Sequence, residues 1–143
     1  MIYVVVQFGC IVYLIFNAQF AHFNALTYLL ISIATVIGLS AVINMKPSNL
    51  NISPALKKQH QLVTNGIYHW IRHPMYTSVL LLCLAFSLTN MHYLAQLTLL
   101  VLWIDLILKS NLEEKLLTQR FDTYQDYKNK TGRFIPYLCK GPY

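Results

Sequence analysis

Apolar residues fall in four long runs separated by short polar breaks. The first covers Ile2–Phe16 and is interrupted by Asn17, Gln19, His22 and Asn24. The second covers residues 26–43, the third 74–88 and the fourth 93–108. Each lies near the lower limit for a helix that spans a bilayer, roughly 17 residues at ~1.5 Å rise. Four such runs in succession, almost free of charge, favour membrane helices over the core helices of a soluble protein. The third and fourth predict a hairpin with Thr89, Asn90, Met91 and His92 at its outer turn.

No Gly or Pro occurs from Tyr93 through Thr131. Beyond Leu108 the pattern becomes amphipathic, with Leu112, Leu116, Leu117, Phe121, Tyr124 and Tyr127 near helical spacing. One long helix, or two with a bend, is expected to leave the membrane here and run along its surface. Gly132 and Pro136 stop it. The stretch 46–73 contains Pro47, Pro54 and Gly66 and reads as a structured loop with a short helix near 55–59. The predicted fold class is all-α: an integral membrane helical bundle of about four transmembrane helices plus a C-terminal amphipathic cytoplasmic helix. Residues 1–143 form one domain, with two membrane helices in 1–45 and a binding core in 46–143.

Composition agrees. Of the 143 residues, 56% are apolar and 11% charged, with a mean hydropathy of +0.46. Soluble domains carry about 25% charged residues, so an ordinary cytosolic globule is not expected, and the same numbers exclude disorder. All 11 Lys and Arg lie from Lys46 onward, in the stretches 46–72 and 109–140. The net charge of +6 therefore describes membrane rims rather than a nucleic-acid-binding face. Both stretches, and both termini, are expected on the cytoplasmic side. A basic n-region and cleavage site of a secretory signal are missing. Cys10, Cys83 and Cys139 are too far apart for a zinc site or disulfide framework and read as small apolar residues. No metal site is expected, and no phosphate-binding glycine motif occurs.

Polar chemistry concentrates in two places. In the first, Arg72, His73, Pro74 and Tyr76 open the third helix. Pro74 suits a first helical turn, backbone amides there favour an anion, and Arg72 offers a planar fork that fits a carboxylate. Arg72 and His73 also suit a plainer role as headgroup anchors. In the second, Glu113 and Glu114 lie about 8 Å beyond Leu108 along the helix, and the hairpin returns them to the level of Arg72. They either pair with Lys109 or Lys115 on a solvated face or bind a ligand. A ligand between the two clusters would carry an acid together with hydroxyls or an ammonium, and S-adenosylmethionine is one such molecule. Asp105, a carboxylate within an apolar run, is a candidate for function or for a helix–helix hydrogen bond. Trp70 and Trp103 fit interfacial or packing roles, and His22 and His92 are expected to be solvated at outer turns.

The pattern L-V-T-x-G-x-Y-x-x-x-R-H-P-x-Y, followed by E-E-x-x-L and F-x-x-Y-x-x-Y, resembles the isoprenylcysteine carboxyl methyltransferase and phospholipid methyltransferase superfamily. The resemblance covers about residues 60–136. It implies an integral membrane methyltransferase that uses S-adenosylmethionine at the cytoplasmic ends of its last membrane helices and takes a lipid-like acceptor from the bilayer. It assigns His60, Leu62, Val63, Tyr68, Arg72, His73, Pro74, Met75 and Tyr76 to the first donor-binding motif and Glu113 and Glu114 to the acidic one. Arg72 and Glu114 are the residues expected to carry catalysis, on opposite sides of one pocket. A general base, His73 or Glu114, is needed only for a protonated nucleophile.

Two departures stand out. Ser78 occupies a place where relatives often have Gly. Ile107, Lys109 and Asn111 stand where eukaryotic carboxyl methyltransferases carry an arginine and extra acids. The chain also looks shorter at its N-terminus than those enzymes. The acceptor is expected to be an amphiphile or lipid, with membrane lipids as the surroundings and no nucleic-acid partner. The competing expectations are an NADPH-dependent membrane reductase resembling sterol reductases, and a non-catalytic membrane docking protein.

Overall fold

The computed structural model describes residues 2–45, 62–90 and 92–137. The short helix expected near 55–59, His60, Met91 and Cys139 lie outside these described residues. Among the described residues five α-helices follow one another: α1 (Ile2–Phe16), α2 (Ala25–Asn44), α3 (Pro74–Thr89), α4 (Tyr93–Arg120) and α5 (Tyr124–Lys130). Single 3-10 turns occupy Phe20–His22 and Gly66–His69. Among the described residues there is no strand, and an isolated parallel bridge joins Ile71 to Gly132.

Local chemistry sets the helix starts. The Asn24 side chain accepts from Thr27 N at 3.0 Å and caps α2. Pro74 begins α3, where its missing N–H leaves no helical bond unmade. Leu94 N donates to His92 Nδ1 and starts α4. His92 is exposed at the outer turn, as expected, and also caps the helix. His22 Nδ1 pairs with the Thr89 carbonyl at 3.3 Å, and Asn90 Nδ2 donates to the Asn17 carbonyl at 3.0 Å. These bonds tie the α1–α2 turn to the α3–α4 turn at one end of the bundle.

Helix α3 packs against α1, α2 and α4, and α1 also lies along α4. Cys10 and Leu14 of α1, Cys83 of α3, and Ala95, Leu102 and Leu106 of α4 form the core. Cys10 and Cys83 are free and buried, as small apolar residues would be. The α2–α3 seam is built from small residues. Ala34 and Ala41 are fully buried, and Ser78 Oγ donates to the Ala34 carbonyl at 2.7 Å. A Cβ placed on Gly38 would meet Ser78 Oγ at 2.7 Å. The glycine of this contact thus sits on α2 and the serine on α3, which still lets the backbones approach closely.

The outside is apolar. Leu29, Val36 and Leu39 of α2, Val5 and Phe8 of α1, and Leu97 and Leu100 of α4 are all exposed. Soluble monomers rarely expose contiguous apolar surface on this scale. The expectation of four transmembrane helices is corrected on length: α2, with 20 residues, and α4, with 28, are long and apolar enough to cross a membrane. Helices α1 and α3 have 15 and 16 residues. At ~1.5 Å per residue they reach about 24 Å, short of a hydrocarbon core about 30 Å thick. The amphipathic continuation is also resolved: α4 runs without interruption to Arg120, and a break at 121–123 sets off α5.

Candidate active site at the charged end of the bundle

At the end opposite the tied turns, the 62–73 loop folds onto α2. Gly66 makes this possible. Its φ of +59° is a left-handed conformation, and a Cβ there would fall 1.9 Å from Asn44 Oδ1. The chain then enters α3 beside the C-terminal segment. Arg72 N donates to the Gly132 carbonyl at 2.8 Å, His73 N to the Arg133 carbonyl at 3.0 Å, and Gly132 N to the Trp70 carbonyl at 3.1 Å. Thr77 Oγ1 donates to the Phe134 carbonyl at 2.7 Å. Residues 131–134 therefore clamp the start of α3.

This clamp fixes Arg72. Its Nε donates to Glu114 Oε1 at 2.9 Å, and its Nη1 donates to the Lys128 carbonyl at 2.9 Å and to the Thr131 carbonyl. Among the described residues nothing accepts from Nη2. The expectation that Arg72 and Glu114 face one another across a pocket is corrected: they form a direct, buried ion pair, with side chains 8% and 3% exposed. His73 Nε2 also lies 3.3 Å from Glu114 Oε1, while Lys128 Nζ and Arg133 Nη2 reach Oε2 at 3.1 Å and 3.4 Å. Burial alone would raise the Glu114 carboxyl. The hydrogen bonds from His73 and Arg72 outweigh it and hold the group well below the usual carboxylate range.

Glu113 has a different setting. Its Oε1 accepts from Tyr76 Oη at 2.5 Å, and its Oε2 lies 3.6 Å from His73 Nδ1. The His73 ring stacks on Tyr76 with centroids 5.3 Å apart. His73 thus stands between the two carboxylates. Tyr68 is buried, and its carbonyl accepts from Tyr127 Oη at 2.5 Å. Its own hydroxyl is buried and has no partner among the described residues. Burial pushes the Tyr68 hydroxyl upward, reinforced by Tyr127 and Glu113. Burial likewise pushes Tyr127 up to about 12, and nearby Arg72 works against that rise.

The structure thus brings together Tyr68, Arg72, His73, Tyr76, Glu113 and Glu114 from the two motifs. Pro74 is buried at the first turn of α3. Leu62 and Val63 lie half-buried on the loop, and Met75 is exposed. Sequence reasoning missed Lys128, Thr131, Arg133 and Phe134. Their signal was the basic tail itself, with Gly132 fixing where it turns back: a Cβ there would meet the Ile135 carbonyl oxygen at 1.7 Å. It also misplaced Lys109, which was expected at a basic cytoplasmic rim. Lys109 is 2% exposed, bonded to Gln7 Oε1 at 2.9 Å and set over the Tyr76 ring.

Comparison with known proteins points in one direction. A family model described as phospholipid methyltransferase matches residues 23–124, more than half the chain. The chain is similar to the protein-S-isoprenylcysteine O-methyltransferase of Schizosaccharomyces pombe, 34% identical over 83 residues. It is similar in the same way to that of Saccharomyces cerevisiae, 33% identical over 84 residues. Each match covers 57% of this chain and 35% of the relative, so the chain spans about a third of the length of these relatives.

Proposed function

The chain belongs to the phospholipid methyltransferase family, and we propose that it transfers a methyl group from S-adenosylmethionine to an amphiphilic acceptor held in a membrane. One observation carries the reading. The two motifs meet at one end of an apolar bundle and, among the described residues, leave specific polar atoms unspent: Tyr68 Oη, buried without a partner there, Arg72 Nη2, and Glu113, which is held by the Tyr76 phenol and by the His73 imidazole at 3.6 Å. A ligand with an acid, an ammonium and hydroxyls fits that set. Arg72 Nη2 would take the acid, and Glu113 and Tyr68 the ammonium or the hydroxyls.

S-adenosylmethionine supplies a methyl already made electrophilic by its sulfonium. The protein has then to align the reactants and exclude water. Arg72 and His73 are held by Glu114, whose two oxygens are already shared among four cationic or imidazole partners. We therefore assign Glu114 a positioning role through Arg72 and His73. His73, between the carboxylates, is the better candidate to receive a proton if the acceptor nucleophile carries one.

The exposed apolar faces support residence in a bilayer. Charge placement supports a cytoplasmic site: Arg72, Lys128 and Arg133 crowd one end, while the turns at 17–24 and 89–92 contain no Lys or Arg. The test uses the purified chain with S-adenosylhomocysteine and, separately, NADPH. At about 100 times its dissociation constant a ligand adds about 2.7 kcal/mol of stability, so S-adenosylhomocysteine should raise the melting temperature and NADPH should not. Radiolabelled S-adenosylmethionine with a total lipid extract should then label an organic-phase product. Stabilisation by NADPH alone would overturn the proposal.

A further inference from the structure

The segment that clamps Arg72 comes to the surface within one residue of the clamp. The Phe134 carbonyl accepts from Thr77 Oγ1 at 2.7 Å, and the Phe134 ring lies 6.1 Å from the His73 ring. The next residue, Ile135, is 72% exposed, and Tyr137 is 52% exposed. The backbone of both lies against Gly132, since the Ile135 carbonyl oxygen and Tyr137 N crowd the place of its absent Cβ. Gly132 N in turn donates to the Trp70 carbonyl, and Trp70 is 51% exposed. Two aromatic residues and an isoleucine thus surface around one glycine, beside the start of α3. Cations accompany them. Residues 127–137 hold Lys128, Lys130 and Arg133 and no acid, and residues 46–73, which include Trp70, hold four Lys or Arg and no acid. Lys130 is exposed, and Lys128 and Arg133 stay 37% and 30% exposed although both reach Glu114. The exposed acids Asp122 and Asp126 precede this stretch in the chain.

Tryptophan, tyrosine and isoleucine set among lysines and arginines match the headgroup layer of an anionic leaflet. The apolar side chains enter the boundary between headgroups and acyl chains, and the cations meet phosphates. The bundle fixes the choice of partner: its outside is apolar, so a bilayer rather than a soluble acidic protein lies next to the start of α3. We propose that Trp70, Ile135 and Tyr137, with Lys130 and Arg133, dock on an anionic lipid surface, and that docking holds the Arg72 clamp in place, so that the charge of the leaflet regulates donor affinity. Helix α5 has seven residues, and Tyr124 is its buried one. A helix this short does not hold itself in water, so the clamp depends on what supports its ends. On an anionic surface Ile135 and Tyr137 pin one of them. Off that surface the carbonyls of Thr131, Gly132 and Arg133 leave Arg72 and His73 more often, and apparent donor affinity falls with the fraction of chains clamped. The docking surface stands on its own geometry, while its effect on donor affinity rests on the methyltransferase reading.

The test places the full chain in nanodiscs of phosphatidylcholine alone or with about 30% phosphatidylglycerol. Trp103→Phe leaves Trp70 as the one tryptophan of the sequence, and its quenching by bromine-labelled acyl chains reports docking. S-adenosylhomocysteine affinity is titrated in the same discs. The anionic discs should raise Trp70 quenching and tighten S-adenosylhomocysteine binding about three- to tenfold, and about 0.5 M salt should remove much of both gains. Lys130→Gln combined with Ile135→Ser should lose both gains and keep the wild-type affinity found in neutral discs. Equal Trp70 quenching or equal affinity in the two discs would overturn the proposal, as would a gain that the double variant keeps in full. If that variant fails to fold, the wild-type comparison with and without salt decides. Should S-adenosylhomocysteine bind in neither disc, the methyltransferase reading fails, and Trp70 quenching alone decides the docking surface.

Discussion

Replacing Glu114 by Gln removes one negative charge and almost no volume. The carboxylate is 3% exposed and meets Arg72 at 2.9 Å, His73 at 3.3 Å, Lys128 at 3.1 Å and Arg133 at 3.4 Å. Lys128 and Arg133 are 37% and 30% exposed, so water screens them and each contributes at most about 1 kcal/mol. Arg72 is 8% exposed. Breaking a buried pair by neutralising one partner costs about 3–5 kcal/mol, because the remaining charge stays buried. A glutamine oxygen keeps one acceptor for Arg72, which places the expected loss near the lower end, about 3 kcal/mol. At about 3 °C per kcal/mol for a chain of this size, the melting temperature should fall by roughly 10 °C. Thermal unfolding in detergent micelles, followed by helical circular dichroism, measures it.

The same carboxyl sets a pH dependence. In the folded chain it binds its proton less readily than in the unfolded chain, where the ordinary value is 4.5. Its stabilisation is therefore complete above that pH and is lost as the pH falls toward the depressed folded value. The stability gap between wild type and Glu114→Gln should be flat from about pH 8 to 6 and shrink on acidification below about pH 4.5. A gap under about 0.5 kcal/mol at neutral pH, the scale of an ordinary surface substitution, would refute the role given to Glu114. So would a gap that widens in acid.

Three further outcomes follow from local geometry. Gly66→Ala should destabilise by about 1–2 kcal/mol or more, since it forces a side chain into a left-handed conformation and against Asn44; a melting temperature equal to wild type would contradict this. Gly38→Ala should cost about 1–3 kcal/mol by overpacking against Ser78, and Ser78→Gly in the same chain should recover much of it; additive effects in that double-mutant cycle would rule out the contact. Tyr127→Phe should cost about 1 kcal/mol through the lost bond to the Tyr68 carbonyl. With its hydroxyl raised to about 12, that loss should be independent of pH up to about 10 and disappear above the raised value.

Helix positions were legible because each depends on nearby residues. The run Ile2–Phe16 matches α1 in full, and Pro74 marks the start of α3. The uninterrupted α4 followed from the lack of Gly and Pro after Tyr93. The break at 121–123 was not located, because an amphipathic pattern continues across it. That Tyr68, Arg72, His73, Tyr76, Glu113 and Glu114 lie near one another was legible, but their pairing was not. Whether Arg72 faces a ligand or binds Glu114 depends on where α4 and the tail lie relative to α3, 42 and more residues away along the chain. Lys109 was misread for the same reason. A lysine just past an apolar run looks like a rim residue, and only the proximity of α1 and Tyr76 turns it inward.

The tail also explains how an arginine at a helix start holds one orientation. Two carbonyls, from Lys128 and Thr131, take Nη1, and Glu114 takes Nε. Backbone bonds from Arg72 and His73 to Gly132 and Arg133 hold the tail in return. Each half of this arrangement fixes the other, so the guanidinium is ordered by the fold. The arrangement also divides the two adjacent carboxylates by task. Glu114, saturated by cations, organises the site, while Glu113 lies at the head of the α4 face that passes through Lys109 to Asp105. The outer residue of that face accepts from Tyr76, and Lys109 next along it is bonded to Gln7 of α1.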